Sequence, residues 1–309
     1  MFLSILQMVL PVLLAFGLGY LCNRRKLFGA EGLKGLKAVV GNITLPVVLF
    51  SAFFTAEYSG KIALTFGTVF LSCGLGLLAG FGLRRFVKPY GRFLPFLTTN
   101  FEGGMMGYAL FGLLYAGQTK IFAMVDIGQT MFAFTVFLTA LKAVGGRKTT
   151  LRELLTNMVR NPVFVAIVLG VLLGALGAGR WVQGTAAWPV LSAVLTFIAA
   201  PTSALILIIV GYELSFKRAL MRPVLKTVGL RLLVMAALLG LDALVIFSVI
   251  PFEKSLFVAL MLAYSLPAPY IIPLYADMEG DGEYISTALS VMTLVSIALF
   301  AGIAAYSLA

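Results

Sequence analysis

"NFEGGMMGYAL", residues 100–110, sets a carboxylate, Glu102, and three glycines, Gly103, Gly104 and Gly107, in the middle of an apolar run long enough to cross a bilayer. A second run carries "SLPAPYIIP", residues 265–273, with Pro267, Pro269 and Pro273 near its midpoint. Glycine pairs loosen a helix through backbone freedom, and proline removes an amide hydrogen while crowding the preceding turn. In hydrocarbon the freed peptide groups cost several kcal/mol each, so broken helices persist only where protein encloses a polar cavity. Two interruptions at matching places in two halves of a chain are the sequence sign of a transporter's midplane site. An ordinary pair of kinked helices would leave Glu102 unexplained, because a mid-membrane carboxylate costs ~2.5–3.5 kcal/mol on insertion scales.

The rest of the chain fits a membrane setting. Of 309 residues, 61% are hydrophobic and 11% charged, with mean hydropathy +1.04, far from the balance of a soluble domain. Ten apolar segments span approximately 2–22, 33–54, 62–82, 94–116, 121–143, 161–179, 188–212, 224–250, 256–276 and 284–308. Their length indicates helices rather than barrel strands. The first has no basic residue ahead of it and "NRRK" behind it, the reverse of a cleaved signal, and is read as a retained helix.

Alternate connections hold 18 of the 23 basic residues, including Arg24, Arg25, Arg84, Arg147 and Lys217, against one each for Lys61, Lys120, Arg180 and Lys254. By the positive-inside rule the basic set is cytoplasmic and both termini lie outside, in a multi-pass cell (inner) membrane protein. The +11 net charge is thereby a matter of topology, with the lipid bilayer as partner and no nucleic acid. The remaining basic residue, Arg231, is read as snorkelling toward the cytoplasm.

Ten segments divide into a first repeat at 1–143, a basic cytoplasmic connection at 144–160 and a second, inverted repeat at 161–309. Prolines at 11 and 46, and at 162 and 201, suggest the same division. Histidine is absent and only Cys22 and Cys73 are present, so zinc, haem and Ser-His-Asp chemistry lack their usual groups and an enzyme is not expected. No cofactor is expected, and no phosphate-binding loop for ATP is present. The turn "ADMEGDGE" (276–283) resembles the start of a calcium loop but lacks the twelfth-position carboxylate, and reads as a solvated turn.

The order of segments, with "GNITLPVVLF" in the second, "TTNFEGGMMGYAL" in the fourth, "NPVFVAIVLGVLLG" opening the sixth and "LPAPYIIPLYADMEGDGE" across the ninth, resembles the auxin efflux carrier family in its bacterial branch. The resemblance covers nearly the whole chain. It implies an all-α membrane fold of two inverted five-helix repeats, with broken helices four and nine crossing, as in the related bile acid sodium symporters. It further implies a scaffold of helices 1, 2, 6 and 7, through which a homodimer is possible, and a mobile core of helices 3–5 and 8–10. Substrates in that family include auxin and small dicarboxylates such as malate and malonate. Where relatives often place an asparagine at the second break, this chain has Pro269, Tyr270 and Ile271.

Taken together, these readings predict a secondary active transporter of a small organic anion working by alternating access, elevator-type and driven by a proton gradient. A sodium-coupled carrier, and a channel or membrane receptor, are the alternatives. At each break the second half-helix begins with free amides suited to a carboxylate. Substrate-binding candidates are therefore Asn100, Gly103, Gly104, Met106 and Gly107 at the first break, and Ser265, Pro267, Pro269, Tyr270 and Ile271 at the second. Asn100 serves equally as a helix cap. Glu102, placed at the carbonyl-rich end, is a proton carrier, a sodium ligand, a contact for a cationic substrate or a structural hydrogen-bonding group. Asp126 and Gln129, three apart on one helical face, are ion-coupling residues or supports for the break. Asn42, Pro46 and Pro201 mark a hinge or kink in the scaffold. Gly76 with Gly80, and Gly170 with Gly174, read as close-packing pairs.

Overall fold

The computed structural model describes residues 2–56, 58, 60–144, 156, 158–272 and 281–308, and among these the regular structure is entirely helical. Most of the 144–160 connection, Pro273 and the "ADMEG" part of the acidic turn lie outside the described residues. Seven helices are long and apolar enough to cross a membrane: Leu3–Arg25, Ala30–Phe54, Gly60–Val87, Thr119–Val144, Trp188–Tyr212, Arg218–Val249 and Gly282–Leu308. Three of the ten expected segments are not among them. The fourth and ninth are interrupted, and the sixth is a 14-residue helix, Pro162–Ala175, followed by Ala178–Gln183.

Segment one packs along the second half of segment seven, and segment two along segment six. Segments three, four, five, eight, nine and ten pack mainly with one another. The two outer pairs meet backbone to backbone. A Cβ on Gly211 would run into the Phe16 carbonyl, and one on Gly170 would sit 2.9 Å from the Phe53 Cβ. Gly174 likewise faces the Phe53 carbonyl, and Gly76 and Gly80 face Thr99 and Pro95 of segment four, as their spacing predicts. Small residues at such crossings let dispersion act over a long contact where lipid offers no hydrophobic gain.

The prolines do not match in the way their spacing suggests. Pro11 lies within the continuous helix Phe2–Arg25. Pro162 instead opens its helix, where Asn161 Oδ1 accepts from the amides of Val163 and Phe164, the position at which proline costs nothing. Pro46 follows a π-helical turn, Val40–Thr44, and Pro201 separates Trp188–Ala199 from Thr202–Tyr212.

Candidate functional site

The first interruption lies upstream of the glycines. Helix Leu94–Leu97 stops at Thr98, and helical structure resumes with the π-turn Gly103–Gly107 and Tyr108–Leu114. Asn100 sits in the left-handed region at φ +51°, which asparagine tolerates better than most side chains. The glycines have a different task, close approach to segment five. A Cβ on Gly103 would overlap the Asp126 carboxylate, and one on Gly107 would strike the Phe122 ring. The second interruption follows helix Lys254–Ser265, where Leu266 is extended at ψ 157°, as the residue before Pro267 must be.

The two breaks are joined to each other. The Glu102 amide donates to the Pro267 carbonyl at 3.0 Å, and the Tyr270 amide donates to Glu102 Oε2 at 2.6 Å. The Glu102 carbonyl accepts the amides of Met106 and Gly107 at 3.2 and 3.1 Å. Glu102 therefore stands at the amide-rich start of the second half-helix, not at the carbonyl-rich end expected from the sequence. Because the break is several residues earlier than the glycines, Glu102 falls after it. The amides of Met106, Gly107 and Tyr270, expected to be open to substrate, are occupied by this one residue.

Segment five supplies the next layer. Gln129 Nε2 donates to Asp126 Oδ1 at 2.8 Å and the Thr130 hydroxyl to Asp126 Oδ2 at 3.3 Å. Asn100 Nδ2 reaches Gln129 Oε1 at 3.3 Å and the Gln129 carbonyl at 3.4 Å. The Thr99 hydroxyl donates to the Cys73 carbonyl at 2.6 Å. Asn100 and Asp126 are buried, so this polar chain ties the break to segments three and five where water is scarce.

A cavity of about 150 Å³ opens beside the crossing, lined by Glu102, Gly103, Gly104, Asp126, Gln129, Thr130, Pro269 and Ile271 together with apolar residues of segments two, five and six. Seven of the expected site residues thus meet around one space. Others are elsewhere. The Ser265 hydroxyl bonds back to the Leu262 carbonyl, and Met106 is fully buried. The Tyr270 hydroxyl pairs with Thr293 Oγ1 at 2.7 Å, beside a second cavity of about 170 Å³ that also has Lys37, Glu213 and Ser290 in its walls. Asn42 is exposed and turns back to the Ala38 carbonyl at 2.9 Å. Neither it nor Pro201 borders these cavities.

Two groups were not anticipated. Arg231 does not snorkel: only 3% exposed, it donates from Nη1 to the carbonyls of Leu97 (3.0 Å) and Thr99 (3.4 Å), and from Nη2 to those of Asn100 and Leu266 (both 2.8 Å). Asp242, about three turns further along the same side of segment eight, is fully buried and accepts from the hydroxyls of Ser72 and Tyr264. The only sequence signal for either was a charge inside an apolar segment.

A bundle of apolar helices, two of them broken and locked together at a buried polar crossing beside a small cavity, defines a multi-pass helical membrane protein. Residues 4–153 match the model of a membrane transport protein family, in line with the resemblance drawn from the sequence. The chain is also 25% identical over 311 residues to an uncharacterized transporter of Methanothermobacter thermautotrophicus, with 95% of this chain and 97% of the relative covered. Together these similarities support a membrane transporter.

Proposed function

We propose that this protein is a secondary active transporter of a small organic anion, coupled to protons, with the crossing of segments four and nine as its transport site. The observation that carries this reading is the Glu102 carboxylate on the Tyr270 amide. A free backbone amide at a helix break attracts an anion, and here the protein's own carboxylate holds the amide of Tyr270. Protonation turns Glu102 into a weaker acceptor and releases the amide, so a substrate carboxylate takes the position that the glutamate leaves. One negative charge replaces another at the crossing. Proton and anion then bind together, and neither binds well alone.

Alternating access follows from the packing. Segments three to five and eight to ten would move as a core against the pairs formed by one with seven and two with six. Exchanging the two halves of the chain maps each outer pair onto the other, which supports two inverted repeats. Gly104 borders both the 150 Å³ cavity and a third one of about 300 Å³, walled by Ser51, Tyr108, Thr196 and Ser203. Under the positive-inside orientation, with both termini outside the cell membrane, this third cavity lies toward the exterior. The backbone at Gly104 is then the thin wall between two routes. Exposed apolar flanks of segments one and seven, such as Leu14 and Phe197, face lipid or a second copy of the chain.

Purified protein in liposomes tests the reading. With an imposed pH gradient, accumulation of radiolabelled malonate or malate above equilibrium is expected, and it should collapse with a protonophore. Passive equilibration alone would point to a channel. Accumulation of an organic cation in place of the acids would reverse the substrate assignment, since among the described residues the cavity walls hold Glu102 and Asp126 and no basic side chain.

A further inference from the structure

Among the described residues Arg231 is the one buried base at the crossing, and the coupling scheme above does not use it. Its four acceptors have a common origin. Leu97 ends the one-turn helix Leu94–Leu97, Thr99 and Asn100 lie in the break beyond it, and Leu266 caps the first half of segment nine. These are carbonyls that the two breaks leave outside helical hydrogen bonding. Two interrupted helices thus present oxygen atoms to a single point, the arrangement by which broken membrane helices coordinate alkali-metal ions. At that point stands a guanidinium. It carries its charge at every physiological pH and offers a planar set of five donors. Among the described residues no carboxylate forms an ion pair with it; the ion pairs present are Lys37–Glu213, Lys61–Glu253 and Lys217–Glu283. The carbonyls therefore supply its compensation, and it supplies theirs.

We propose that Arg231 is the resident cation of the crossing: its guanidinium occupies the carbonyl cluster that a coupling sodium ion would otherwise fill, so that the transport cycle is independent of sodium. The inference rests on reading the crossing as the transport site, but it concerns a cation position with its own observable. A tethered cation neither enters nor leaves with substrate. It holds both breaks open at constant charge, leaving the proton on Glu102 as the exchangeable positive charge. The sodium-coupled alternative is thereby disfavoured on chemical grounds, since the oxygen ligands it needs are already taken.

The test compares unfolding temperatures in sodium chloride and in choline chloride at equal ionic strength, for the wild-type protein and for Arg231→Met. Methionine retains much of the packing volume and vacates the oxygens. The wild-type unfolding temperature is expected to be the same in both salts. That of Arg231→Met is expected to be lower overall and to rise in sodium by on the order of 2 °C or more, as binding to the folded state alone requires. Arg231→Lys, which keeps a cation, is expected to remain indifferent to sodium. A sodium-dependent shift in the wild type would overturn the proposal, and so would a folded Arg231→Met with no sodium response. If the methionine variant does not fold, the wild-type comparison still decides. Failure of liposomes to accumulate any organic acid would count against the transport reading alone, because none of these measurements needs a substrate.

Discussion

Glu102 and Tyr270, 168 residues apart in sequence, share a hydrogen bond of 2.6 Å from backbone amide to carboxylate across the two interrupted helices. Hydrogen bonds to a charged group contribute ~1.5–3 kcal/mol, so any anion that competes for the Tyr270 amide has to match this contact.

Replacing Glu102 with Gln leaves a permanently neutral side chain. Gradient-driven uptake of organic acid is expected to fall by about tenfold or more, the order of one lost charge-assisted contact. Organic acid binding should persist, without its dependence on pH. Uptake assays across a pH series, with surface expression checked, test this; an unaltered pH profile would remove Glu102 from coupling.

Gly103→Ala puts a methyl group into the Asp126 carboxylate. Overpacking of a rigid contact costs ~1–3 kcal/mol. The variant should reach the membrane, unfold at a lower temperature and lose most transport, because the break must move away from segment five. Wild-type unfolding and uptake would show that the two segments are not held this closely.

Asp126→Asn keeps one oxygen for the Gln129 amide at 2.8 Å but loses the second charged acceptor near Thr130. A destabilisation of ~1–3 kcal/mol is expected, with a shifted pH profile for uptake. Destabilisation without that shift would assign Asp126 to support of the break alone.

At the connection before segment nine, Glu253 is paired with Lys61. Burial raises its pKa, but hydrogen bonds from Lys61 and Ser255 and the lysine charge outweigh it, and the net direction is down from the ordinary glutamate value. A depressed carboxylate stabilises the fold above its unfolded pKa, and the contribution is lost as pH falls through the folded value. With side chains 31% and 38% exposed, the pair is worth only ~0.2–1 kcal/mol. Lys61→Met should therefore unfold slightly below wild type at neutral pH, and the gap should close as pH drops below the ordinary glutamate range. A gap that widens in acid would contradict the pairing.

Much of the helical plan was legible in the sequence, because hydropathy alone marks segments such as 188–212 and 284–308 to within a few residues. Both interruptions were legible too, from the prolines of one and the Glu102–glycine cluster of the other. Their mechanism was not. The glycines signalled unwinding, whereas Gly103 and Gly107 serve close approach, and the backbone turns at Asn100. Asp126 and Gln129 were readable because three-residue spacing puts them on one face. Arg231 was not, since its acceptors are 35 to 134 residues away and nothing local distinguishes a base that reaches inward from one that reaches the membrane surface. Gly19 and Gly211, each meeting the backbone of the other's helix, escaped notice because neither belongs to a spaced glycine pair.

The exchange of one anion for another at the Tyr270 amide is tested most directly by counting protons. Malonate, or another acid found to bind, is titrated into weakly buffered purified protein at near-neutral pH while proton uptake is recorded. If binding requires protonated Glu102, about one proton is taken up per anion by the wild type and none by Glu102→Gln. Binding without proton uptake in the wild type, or equal uptake in both proteins, would contradict the account.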